Sequence, residues 1–161
     1  MLHFSAPPPF AFDKFLSGCE ELIGPQEAAI IRCLREPGTA AAARPIIAKW
    51  IDFETMLRNE LVKIRAGRKK IEPAKYLRPD GYSGPTLYHV ALAAHRNPSP
   101  LEGEKILDRE RWNFLDELCI GHYFDLDFLI IYAYKLLILE RWERINAADK
   151  LKLLEVALSK N

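Results

Sequence analysis

Glycine is scarce in this chain, 8 of 161 residues, and none stands in a GxGxxG or GxxxxGK arrangement. No loop is therefore built to cradle a phosphate on its backbone amides. Cysteine is scarcer still. Cys19, Cys33 and Cys119 are an odd set without paired close spacing, which argues against a disulfide framework and for a reducing, cytoplasmic location. Charge of one sign is also lacking: 23 Lys+Arg face 22 Asp+Glu for a net +1, so nothing global draws the chain to nucleic acid or membrane. The longest apolar run, Leu126 to Leu139, covers 14 residues and contains Lys135. A bilayer needs about 20. The amino terminus has no basic region, and Pro7, Pro8 and Pro9 interrupt any apolar stretch, so a signal peptide is not expected. Any link to a membrane would have to run through a partner.

Catalytic constellations are missing as well. Gly81-Tyr82-Ser83-Gly84 lacks the spacing and strand context of a nucleophile elbow and reads as a turn. No Ser or Cys stands in a pattern that pairs it with a His for a triad. His89 and His95 are six residues apart and do not share a helix face, and no HExxH or ExxH pair exists. His122 with Asp125 and Asp127 is the one local cluster mixing His and carboxylates. As a metal or phosphate-ester site it would need a further ligand that the sequence does not offer. The favoured reading makes Asp125 the N-cap of a helix and Asp127 a complement to its positive end, with Gly121 as a left-handed turn residue and His122 bonding that turn. No enzyme, metal or cofactor is expected.

What the chain does have is helical periodicity. With 49% hydrophobic and 28% charged residues, it reads as one globular domain able to bury roughly 70% of its unfolded surface. The expected architecture is all-α, a single-domain helical bundle of six to seven helices over 1–161, with an N-terminal helical hairpin at 1–45 and the main bundle at 46–161. A first helix is predicted over Phe12–Ile23, with Phe15, Leu16, Cys19, Leu22 and Ile23 inward, and a second from Pro25, stopping before Pro37-Gly38. The run Ala40–Ala43 is compatible with helix until Pro45. From Pro45 to about Gly67, Ile46, Trp50, Phe53, Leu57, Leu61 and Ile64 recur at steps of three and four and make one apolar stripe. The proline- and glycine-containing stretch Arg68–Pro85 is a long loop, functional or mobile. Further helices are expected over Thr86–Arg96, over Leu101–Ile120 and from Asp125 to Ile145, with a last one capped by Asn146 and carrying Leu151, Leu154, Val156 and Leu158. The sixth of these has almost no polar face, which suits burial better than pressing against another chain.

Charge is segregated along the chain. Residues 58–78 hold eight bases and two acids, a local +6, whereas residues 101–127 hold eight acids and three bases, a local −5. A solvated helix end with pairing between the two segments is the simplest account. A protein-docking patch made of Arg58, Lys63, Arg65, Arg68, Lys69, Lys70 and Arg78 comes next. Nucleic-acid binding through the same segment is the alternative, weakened because no recognised motif accompanies it.

Several residue blocks resemble a known family. Leu57-Arg58-Asn59-Glu60-Leu61 with Ile64-Arg65-Ala66 and Arg68 is similar to an uncharacterised bacterial family associated with V/A-type ATPases. So are Asn97-Pro98, Leu107-Asp108, Arg111-Trp112, Leu115-Asp116-Glu117, Gly121-His122-Tyr123-Phe124-Asp125, Tyr132-Ala133-Tyr134-Lys135-Leu136 and Leu139-Glu140-Arg141. The resemblance spans roughly Trp50 to Trp142 and contains no catalytic signature. It implies a distant likeness to the ATPase C (or d) subunit, an all-helical connector to the central stalk. By that resemblance the partners would be V/A-type ATPase subunits, with any part in ion transport coming through that complex.

Overall fold

The computed structural model describes residues 2–35, 44–79 and 81–158, with side chains to residue 148. Six α-helices and one short 3-10 turn make up the regular structure of the described residues: α1 Phe12–Leu22, α2 Pro25–Cys33, α3 Pro45–Lys69, the 3-10 turn Ala74–Tyr76, α4 Tyr88–Arg96, α5 Pro100–Leu118 and α6 Leu126–Leu158. The fold class is all-α. The alanine run at Ala40–Ala43 lies outside the described residues.

The helix starts follow the local chemistry. Pro25, Pro45 and Pro100 each occupy a first helical position, where the missing N–H costs nothing. At α5, the Ser99 hydroxyl accepts the Glu102 N–H at 3.3 Å, the first half of a capping box. Asp125 Oδ1 accepts the Phe128 N–H at 2.9 Å, the expected cap of α6. The expected break before Asn146 is absent, because α6 continues to Leu158. Ala147 and Ala148 follow Asn146 with no Gly or Pro nearby, so helix propensity carries through the weak cap signal.

The chain forms two compact units, Met1–Pro37 with Tyr123–Asn161 and Gly38–His122. In the first, α1 and α2 pack on each other and on α6. Helix α6, expected in the main bundle with residues 46–161, instead makes its contacts with the two N-terminal helices. The ring of Phe15 stacks on Tyr132 at 5.1 Å, and the α1 start has no side-chain cap of its own. Instead Glu140 Oε1 on α6 accepts the Phe12 N–H at 2.6 Å. Arg35 lies over the Phe12 ring at 4.5 Å and pairs with Asp13 at 2.7 Å. Cys19 is buried as expected, but Leu22, predicted to face inward, is 86% exposed. In α6, Ile130, Ile131, Leu136 and Leu139 are buried, and so is Lys135.

In the second unit, α4 packs along α5 and against α3. Phe53, Leu57, Leu87 and Leu107 form its core, with Trp50, Tyr82 and Phe114 packed around them. The Phe53 and Phe114 rings stack with centroids 4.1 Å apart. Of the predicted stripe on α3, Ile46, Phe53 and Leu57 are buried while Trp50, Leu61 and Ile64 are half-buried.

Candidate docking surface

The predicted basic segment is built by the C-terminal half of α3 and the loop that follows. Helix α3 ends in a Schellman motif. The Ile71 N–H donates to the Ala66 carbonyl at 3.1 Å and the Lys70 N–H to the Gly67 carbonyl at 3.2 Å, with Lys70 left-handed at φ 55°. This closure fixes the directions of Lys69 and Lys70 and turns Ile71 outward, where it is 45% exposed.

The loop expected at Arg68–Pro85 then runs back along α3, tied to it by side chains of that helix. Buried Asn59 grips Arg78 at both backbone groups, its Nδ2 donating to the Arg78 carbonyl at 2.7 Å and its Oδ1 accepting the Arg78 N–H at 3.0 Å. Arg58 Nη1 donates to the Tyr76 carbonyl at 3.0 Å. Asp52 Oδ1 accepts the Gly81 N–H at 3.3 Å. The Tyr82 ring closes the loop edge-on against Phe53 and Phe114, at 5.8 and 6.0 Å. Burial, then the carboxylates of Glu117 and Glu110, push the Tyr82 hydroxyl above its ordinary value.

The seven candidate docking residues therefore divide. Arg58 is half-buried and acts as a loop clamp, while Lys63 pairs with the buried Glu60 at 2.7 Å. Arg65, Arg68, Lys69, Lys70 and Arg78 are exposed, joined by Lys75, with Glu72 the one exposed carboxylate of the segment. Among the described residues, Arg65, Arg68, Lys69, Lys70 and Lys75 make no ion pair. The result is an ordered basic tip with Ile71 and Tyr76 exposed in it.

The acidic segment is less uniform. Asp108, 1% exposed, binds Arg111 at 2.8 Å, and Glu54 on α3 binds the same guanidinium at 2.6 Å. Burial alone would lower the Arg111 pKa; Glu54, with Asp108 behind it, more than offsets this and holds it above its ordinary value. This ion triad fastens α3 to α5. Nothing in the sequence pattern singled it out, although Asp108 and Arg111 stand one turn apart and Glu54 sits beside the α3 apolar stripe.

Gly121 adopts φ +89°, as a left-handed turn residue should, and the His122 N–H donates to the Cys119 carbonyl at 3.0 Å. Asp125 caps α6, and among the described residues no three His, Cys, Asp or Glu side chains are grouped to hold a metal ion. No helix among the described residues is long and apolar enough to cross a membrane.

Comparison of the chain with protein-family models, curated proteins and solved structures finds no match.

Proposed function

We propose that this protein is a non-catalytic assembly component that docks through its basic tip onto subunits of a bacterial V/A-type ATPase, in the manner of a C- or d-like connector to the central stalk. The observation that carries the reading is the tip itself: exposed cations that form no ion pair among the described residues, held on a capped helix end and a strapped loop. Such preset charge steers a complementary acidic partner and sets its register more than it adds affinity. Any membrane association then comes through the complex.

The test is affinity purification of the tagged chain from its native cells, with mass spectrometry of what accompanies it. Recovery of ATPase catalytic and shaft subunits is expected. The triple variant Arg65→Glu, Arg68→Glu, Lys69→Glu should keep the helical circular dichroism of the parent and lose those subunits. Undiminished recovery by the variant removes the tip from the interface, and recovery of no ATPase subunit by the parent removes the reading. Tyr76, exposed beside Lys75, favours single-stranded nucleic acid as the second reading. Oligonucleotide affinity that falls steeply with salt would support it, and no retention at moderate salt would end it.

A further inference from the structure

The turn that enters α6 places two adjacent aromatic side chains in water. Tyr123 is 68% exposed and Phe124 104%. Both ends of this short stretch are held: on one side by the His122 N–H bond to the Cys119 carbonyl, on the other by the Asp125 cap on Phe128. The aromatics are thus presented by a built turn and not by a free end. Hot spots of protein interfaces have this composition, large aromatics that lose their water on contact.

The charge around the turn narrows the partner. Within its own unit the turn runs on into Asp125 and Asp127, and from Tyr123 to Tyr134 the chain carries no lysine or arginine. A fitting surface is therefore cationic with apolar anchors, and arginine is favoured because its guanidinium stacks on aromatic faces. The basic tip of the same chain has that chemistry: exposed Arg65, Arg68, Lys69 and Lys70 beside Ile71, with Tyr76 a few residues on. A net charge of +1 leaves little repulsion between copies.

We infer that the protein self-associates head to tail, the Tyr123-Phe124 turn of one copy seating on the Arg65–Ile71 tip of the next. Because the two surfaces differ, the contact is heterologous and propagates into a ring or an open chain of copies. The inference shares the tip with the docking reading and needs no ATPase, so docking on another acidic partner competes with self-association.

Sedimentation of the purified full-length chain tests it. At low ionic strength the average mass should rise with concentration, and high salt should return it to the monomer. The turn variant Tyr123→Ser, Phe124→Ser and the tip variant Arg65→Glu, Arg68→Glu, Lys69→Glu should each weaken self-association roughly tenfold or more. Milder Arg65→Gln, Arg68→Gln, Lys69→Gln replacements provide a second tip variant should the reversal perturb folding. Mixed one to one, the turn variant retains a tip and the tip variant retains a turn, so the mixture should form a dimer and nothing larger. A parent chain that stays monomeric at every concentration, a turn variant that associates like the parent, or a mixture that stays monomeric would each overturn the inference. None of these outcomes touches the docking reading, which is decided by what the chain recovers from cells.

Discussion

Asn59 satisfies both backbone groups of one loop residue with both ends of a single amide. That arrangement imitates a strand pairing without a strand, and it explains why a polar residue lies buried in the middle of α3. Replacing Asn59 with Ala leaves the Arg78 N–H and carbonyl to water and should cost about 1–3 kcal/mol. The more direct reading is tryptic cleavage after Lys75, expected to accelerate sharply in the variant while cleavage elsewhere is little changed. Tyr82 gives a pH signature to the same loop. Its pKa is raised in the folded state by burial and by Glu117 and Glu110, so the fold favours the neutral phenol. That contribution is whole below the unfolded value of about 10 and is lost as pH rises through the folded value. In Tyr82→Phe, stability should decline less on the alkaline side, as followed by denaturant melts. Some slope should remain, because burial raises Tyr132 in the same direction.

At the scale of elements, the close crossing of α4 and α5 depends on one missing side chain. A Cβ on Gly103 would meet the Ala94 carbonyl oxygen at 2.7 Å. Backbone cannot swing aside as a side-chain end can, so Gly103→Ala should force the helices apart and destabilise the protein by about 1–3 kcal/mol despite alanine's better helix propensity. A lowered thermal midpoint with helical content retained below it is the expected result, and a raised midpoint would show that the crossing has slack. Most elements of this kind were readable in the residue order. The prolines at 25 and 45, the Asp125 cap and the α3 stripe each act within one or two turns, which is the range of local sequence rules. The Asn146 cap failed because a cap residue is only a preference, and two alanines behind it favour continuing the helix.

For the molecule as a whole, burial sorts the three thiols. Cys19 is buried and its thiol is pushed up by that burial and then by Glu20, whereas Cys33 and Cys119 are half-buried. A thiol reagent should label two cysteines in the native protein and reach Cys19 only on global unfolding, counted by mass. Early labelling of Cys19 would show that α1 opens from α2 and α6 on its own.

The charge segregation between residues 58–78 and 101–127 was legible in the sequence, and so was the identity of every cation now found on the tip. Which of them are exposed was not. Arg58 carries the same charge as Arg65 and Arg68, yet it is half-buried and donates to the Tyr76 carbonyl, a partner set by how the loop folds back. Lys63 stays exposed and pairs with Glu60 one turn away on the same helix. The amino-acid order by itself determined that the chain is helical, where its helices start and where its charges cluster, because caps, prolines and apolar spacing act through nearest neighbours. Only the tertiary structure decided that α6 joins α1 and α2, that Glu54 reaches across from α3 to the Arg111–Asp108 pair, and that Asn59 holds the basic loop in place. Each of those contacts closes over a long stretch of chain, where burial and hydrogen-bond satisfaction select the partner and local pattern does not reach.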